Sequence, residues 1–347
     1  MALADRTLDL VNIPSESRSE AALYDYVRAS VPLEAIYDDG ESVVFAKRSG
    51  NPLVLLAGHT DTVPAQGNLP GRIEDGAVVG LGASDMKGGL AVMIELARWA
   101  CDADTAYDVA FLFFPREEVG PAENPLPGLF ERTGIVDEAQ LVICLEPTDN
   151  TLQLGCLGNL NARIVFEGRA AHSARPWLGT NAIAVALDGL GPVLSSVPRD
   201  VDIDGLVFRE VMSVTQLSAG IATNVIPARA EANVNFRYAP DRSPASADAY
   251  LRSLVPEGAS YEHAGDSPPA RVVTDSPLVQ RLRAAGDLAL EPKQAWTNVA
   301  DFTSRGIDAV NFGPGATRYA HRRDEQVEIV ALETAFTALW RFVTGSV

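Results

Sequence analysis

Apolar and polar positions follow two rhythms along the chain. Up to about residue 157, apolar runs alternate with segments of helical periodicity. SVVFAKRS (42–49), PLVLLAG (52–58), DVAFLFFP (108–115) and LVICLEP (141–147) read as strands. The continuous runs suit strands covered on both faces. KGGLAVMIELARWA (87–100) has apolar residues at helical spacing, with Ser84 or Asp85 as its cap. This βα alternation predicts an open, mostly parallel sheet.

From about residue 158 the rhythm changes. NLNARIVFEGR (159–169), MSVTQLSAG (212–220), ARAEANVNFRYA (228–239) and ASYEHAGD (259–266) read as strands. The middle two alternate like strands with one wet face. NAIAVALDGLGPVLSS (181–196) and SADAYLRSLV (246–255) read as helices. The order is βαββαβ, a ferredoxin-like unit. The first rhythm then returns, with SPLVQRLRAAGDLA as a helix, DAVNFG (308–313) as a strand and VEIVALETAFTALWRFV as a closing helix. The expected fold is therefore α/β. A large domain of residues 1–157 and 275–347 carries an inserted ferredoxin-like unit of residues 158–274. Its 347 residues are more than one ordinary core accommodates.

Composition narrows the function. The net charge of −18 disfavours a nucleic-acid or anionic-membrane surface. No run reaches membrane-spanning length, and the N-terminus MALADRTLDLVNIP lacks an apolar signal core. The three cysteines, Cys101, Cys144 and Cys156, form no metal-knuckle spacing, and their odd number argues against a disulfide framework. A cytoplasmic protein is expected.

Chemistry collects at strand ends. GHTDTVP places His59 and Asp61 two apart where PLVLLA ends, so both side chains leave the strand on one side. A ligating histidine usually gives its second N–H to a carboxylate. Glu117 and Glu118 follow DVAFLFFP, Glu146 follows LVICL, and His321 lies beyond DAVNFGPG. Asp85 stands in GASDMKGG before a helix. The carboxyl ends of parallel strands share one edge of an open sheet, where ligands bind. A two-metal hydrolase would use this set with His59 and Glu146 on one cation, His321 and one of Glu117 or Glu118 on the other, and Asp85 between them. The remaining glutamate would be the base. Nitrogen and oxygen donors suit Zn²⁺, with Co²⁺ or Mn²⁺ as substitutes.

GHTDTVP, GASDMKGG, PREEVG, LEP and AHRRDE resemble the metallopeptidases of the M20 clan, over nearly the whole chain. The resemblance implies a zinc-hydrolase-type mixed sheet with an inserted dimerisation or lid domain, and a homodimer formed through that insert. It implies two zinc ions per chain on His59, Asp85, Glu118, Glu146 and His321. Glu117 becomes the general base and Asp61 the partner that orients His59. Arg116 departs from the acidic or small residue common at that position. In GRAAHSARPWLGTNAI, His172 matches the histidine that enters the partner's active site in dimeric relatives. His263 matches no motif and reads as structural. SARPWLGTNAI, TNVIPARAEANVNFRYAPDRS and VNFGPG most resemble the bacterial desuccinylase branch that acts on succinylated diaminopimelate. The implied substrate is a small N-acyl amino acid with several carboxylates. Arg175, Asn224, Arg237 and backbone N–H groups of Gly313 and Gly315 are its candidate contacts.

Overall fold

The computed structural model describes residues 2–346, which fall into two compact units. One runs up to Gly155 and takes in Val273–Glu291 and the chain from Asn298 onward. The other comprises Cys156–Val272 and Pro292–Thr297. The short return to the second unit was not expected. Gln294 explains it, because its side chain donates to Val207 O at 2.8 Å and accepts from Arg209 N–H at 3.1 Å.

The first unit is built on an eight-stranded mixed sheet. Its order is Glu34–Asp38, Val43–Lys47, Asp108–Phe114, Leu53–His59, Ala139–Cys144, Ala309–Asn311, Leu152–Leu154 and Leu290–Pro292. Only the central strands are parallel. Leu53–His59 pairs in parallel with Asp108–Phe114 and Ala139–Cys144, and Ala309–Asn311 with Ala139–Cys144. Val43–Lys47 is antiparallel to both neighbours. The expectation of a mostly parallel sheet thus holds for the centre and fails at the edges. Val43–Lys47 follows Glu34–Asp38 through four residues, a length that makes a hairpin and not a crossover.

Leu53–His59 and Asp108–Phe114 are buried along their whole length, as their unbroken apolar runs require. Helix Gly88–Asp102 packs directly on Leu53–His59. A Cβ on Gly58 would stand 2.6 Å from Met86 Cε and 2.8 Å from Leu90 Cδ2, so a larger residue would force these side chains to shift. Trp99 meets Trp340 of helix Ile329–Thr344 edge-on at 6.0 Å.

The second unit is a five-stranded antiparallel sheet in the order Arg199–Ile203, Leu206–Ala219, Arg229–Tyr238, Gly158–Glu167, Ala259–Ser267. Helices Ala182–Gly189 and Pro244–Ser253 complete the ferredoxin-like arrangement. Ala230, Ala232, Val234, Phe236 and Tyr238 point into its core, while the alternate residues Glu231, Asn233, Asn235 and Arg237 take the other face. The strand Arg199–Ile203 was not expected. It pairs only as far as Glu210, and among the described residues Val211–Ala219 has no strand on that side. No helix among the described residues is long and apolar enough to cross a membrane.

Candidate metal centre

Three parallel strands of the first unit end at one edge. Their ends deliver His59 directly, Glu117 and Glu118 three and four residues after Phe114, and Glu146 two after Cys144. The loop after Ala309–Asn311 brings His321. Asp85 arrives on the turn Ala83–Lys87, whose Asp85–Met86 peptide is cis.

These side chains form two clusters that share Asp85. His59, Asp85 and Glu146 offer ligand atoms all within 4.8 Å of one another, and so do Asp85, Glu118 and His321. Asp85 Oδ1 lies 3.3 Å from His59 Nε2, and its Oδ2 lies 3.6 Å from His321 Nε2. Glu146 Oε1 is 4.0 Å from His59 Nε2, and Glu118 Oε1 is 3.0 Å from His321 Nε2. Glu117 also reaches ligand distance of His59, together with Glu118.

Asp61 organises this arrangement from behind. It is 1% exposed, and its Oδ1 lies 3.4 Å from His59 Nδ1. The Asp61 carbonyl oxygen is closer to that nitrogen, at 3.1 Å, so backbone and side chain both hold the ring. The same carboxylate accepts the Glu117 N–H at 2.9 Å and the Glu118 N–H at 3.0 Å. It also accepts the Ser17 hydroxyl at 2.7 Å. Burial acts against the Asp61 anion, but His59 and these donors prevail and hold its pKa down at about 2. Nothing in the sequence pointed to Ser17.

The donor set fits divalent cations. Asp85, Glu117, Glu118 and Glu146 crowd two imidazoles, and so many like charges cannot coexist without positive charge between them. The same crowding favours the protonated forms of these groups. Burial disfavours the His59 cation, yet Asp61, Asp85 and Glu146 together raise its pKa well above the ordinary value. The hydrogen bond that His321 gives to Glu118 raises its pKa to about 9. Burial and then the Glu146 charge push Glu117 well up. Cations at the two clusters would neutralise the same groups without protons.

Several expectations change. Neither Ser84 nor Asp85 caps helix Gly88–Asp102, whose first turn has no side-chain cap. Ser84 Oγ instead accepts from Ala316 N–H at 2.7 Å and donates to Ala316 O at 3.0 Å. Gly313 and Gly315 are buried where the main chain packs closely. A Cβ on Gly313 would lie 2.5 Å from Glu146 O, and one on Gly315 2.1 Å from Ser84 O. The Gly313 N–H is already given to Thr148 Oγ1 at 3.1 Å. The Arg116 guanidinium is engaged by both Glu41 oxygens at 2.9 and 2.8 Å.

In the second unit His172 and Arg175 share one turn, and Asn224 lies opposite it across a short strand pair. His172 pairs with Val225, Arg175 N–H donates to His172 O, and Ser173 N–H donates to Asn224 O. All three side chains are exposed. Arg237 is separate, half-buried on the open sheet face. His263 forms a pair with Asp248, Nδ1 to Oδ1 at 3.0 Å.

Residues 55–344 match Peptidase family M20/M25/M40. A candidate succinyl-diaminopimelate desuccinylase, DapE, of Mycobacterium tuberculosis (strain ATCC 25618 / H37Rv) is 38% identical over 98% of this chain and 97% of that protein. The succinyl-diaminopimelate desuccinylase of Corynebacterium glutamicum is 34% identical over 97% and 95%. The N-acetyl-L-citrulline deacetylase of Xanthomonas campestris is 30% identical over 98% and 95%. Among solved structures, a tripeptidase from Staphylococcus aureus aligns with a TM-score of 0.79 at 18% identity, over 99% of this chain and 97% of that one. That likeness is one of fold. The chain belongs to peptidase family M20/M25/M40 and is a metal-dependent amidohydrolase.

Proposed function

We propose that this chain is a dinuclear metal hydrolase that cleaves N-succinyl-LL-2,6-diaminopimelate to succinate and LL-2,6-diaminopimelate. The observation that carries the dinuclear reading is Asp85, with one oxygen facing each histidine-bearing cluster. His59, Asp85 and Glu146 would hold one ion, and Asp85, Glu118 and His321 the other. Zn²⁺ is the proposed metal, since all donors are nitrogen or oxygen. Bound there, the ions would supply Lewis-acid polarisation of the acyl carbonyl and a water of lowered pKa. Glu117, the glutamate left over, takes the proton of the attacking water and returns it to the leaving amine. Asp61 fixes the base, through the Glu117 N–H, and the His59 ring together. Zinc-reconstituted protein washed free of excess should approach two ions per chain by elemental analysis. Saturation at a single ion would sink the dinuclear reading and leave the hydrolase assignment standing.

The choice of acyl group is supported by the two desuccinylase relatives and by Arg237. That guanidinium donates to Asn235 Oδ1 at 3.1 Å, and among the described residues no carboxylate pairs with it. In the same unit Arg163 and Arg242 are tied to Glu262 and Glu210. Burial pushes the Arg237 pKa down, which marks a cation short of a counter-charge. A substrate carboxylate would provide one. Arg237→Gln should raise KM for the succinylated substrate by about 10- to 100-fold, the worth of one charge-assisted hydrogen bond. An unchanged KM would remove Arg237 from the substrate site. The citrulline deacetylase relative favours a second reading, deacetylation of an N-acetyl amino acid. Release of succinate and of acetate from matched acylated amines separates the two. Faster acetate release would overturn the desuccinylase reading.

Assembly as a homodimer through the second unit is part of the proposal. The open edge along Val211–Ala219 offers unpaired backbone groups, which proteins normally cover. Ile183 and Leu187 lie exposed on helix Ala182–Gly189 of the same unit, at 38% and 53%. A second copy pairing edge to edge would satisfy both features and give two-fold symmetry. Three free cysteines suit the cytoplasm as its compartment.

A further inference from the structure

Glu325 is 1% exposed. Carboxylates rarely accept such burial unless their oxygens are fully hydrogen-bonded. Here the backbone does this. Oε2 accepts the Gly82 N–H at 2.8 Å, and Oε1 accepts the Ser84 N–H at 3.1 Å and the Asp85 N–H at 2.9 Å. Three amides of one turn thus close on one side chain. The turn has no helical ladder of its own through Asp85, which sits at φ −124°, ψ 94°. Gly82 opens it at φ +76°, a conformation in which a Cβ would also strike Thr62 Cγ2 at 2.8 Å. Without the Glu325 carboxylate, these donors would be buried and unmatched.

The main chain of Glu325 reaches toward the other histidine. Its N–H donates to Arg322 O at 3.3 Å, and its carbonyl accepts the Gly80 N–H at 2.9 Å. Gln66 Nε2 holds His321 O at 2.9 Å in the same loop. Lys87, also buried, donates to Ile13 O at 2.8 Å, and its charge interacts with that of Glu325. One residue therefore connects the turn that presents Asp85 with the loop that presents His321.

We propose that Glu325 is a positioning residue of the metal centre, fixing the Gly82–Asp85 turn so that Asp85 keeps one oxygen aimed at each cluster. The inference rests on the dinuclear reading given above. Outer partners of metal ligands commonly matter about 10- to 100-fold for metal affinity. Because Asp85 is common to both clusters, loss of Glu325 should weaken both positions together.

The test is a titration of metal-stripped full-length protein with cobalt chloride against a competing chelator, followed by visible absorption. Glu325→Gln keeps the shape but offers a single acceptor oxygen to three N–H groups. It should bind cobalt about 10- to 100-fold more weakly at both positions and show an altered cobalt spectrum. Glu325→Asp keeps the charge but falls short by one methylene. It should lie between Glu325→Gln and wild type, and it carries the test if Glu325→Gln does not fold. Glu210→Gln removes a different buried carboxylate, one bound by Arg199 and Arg242 in the second unit, and should titrate as wild type. Wild-type affinity and spectrum in both Glu325 variants would overturn the inference while leaving the dinuclear centre intact. Equal weakening in Glu210→Gln would also overturn it, by showing a general effect of stability. A wild-type protein that takes only one cobalt ion would defeat the dinuclear reading and this inference with it.

Discussion

Glu117→Gln is expected to lower kcat by about 10²–10⁴ while the protein still binds two divalent ions per chain. The argument turns on what the amide keeps and what it loses. The Glu117 N–H stays on Asp61 Oδ1, so the loop bearing Glu118 keeps its place. Both three-residue clusters that share Asp85 exclude Glu117, so no proposed ligand is removed. The lost function is proton acceptance, because a neutral amide cannot take the proton of water. Glu118→Gln should behave differently. It removes the partner 3.0 Å from His321 Nε2, and metal content should fall together with activity. Steady-state kinetics and elemental analysis on both variants separate the roles. Near-normal kcat in Glu117→Gln, or an ion lost with it, would transfer the base to another residue.

The central strands were legible because burial on both faces leaves an unbroken apolar run, as in VAFLFF and LVIC. Once those strands were placed, their carboxyl ends located the candidate ligands without any local motif. What escaped the sequence has physical reasons. Arg72–Glu74, Ala77–Val79 and Gln326–Glu328 form a three-stranded sheet, but three residues are too few to show a period. Glu34–Asp38 alternates between exposed and half-buried positions and lacks an apolar face. Asp85 looked like a helix cap because capping residues and metal ligands are the same residue types. The structure shows instead a turn held from outside by Glu325. That contact is invisible in sequence, since an acceptor for backbone N–H groups needs no particular neighbour. The loop glycines carry a second constraint that sequence does not show, since at Gly313 and Gly315 the main chains pack too closely for a Cβ.

His172→Ala should lower kcat by about 10²–10³ and leave metal content unchanged, if the residue donates to the oxyanion. The ring is prepared for donation. Its Nδ1 accepts the Ala174 N–H at 3.0 Å, which in a neutral imidazole leaves the proton on Nε2. His172 belongs to the second unit, and the proposed dimer would bring it to the neighbour's metal centre. This makes a sharper demand than the single variant. Inactive His172→Ala chains are mixed with inactive Glu117→Gln chains, and subunits are allowed to exchange. A heterodimer then holds one site with both Glu117 and His172 and another with neither. Activity should return to about half the wild-type value per heterodimer, since one of two symmetric sites is complete. An exchange-blocked mixture, cross-linked before mixing, should stay inactive. If exchange is verified by mass and no activity returns, His172 works within its own chain or outside the reaction altogether. The open edge along Val211–Ala219 would then need another partner.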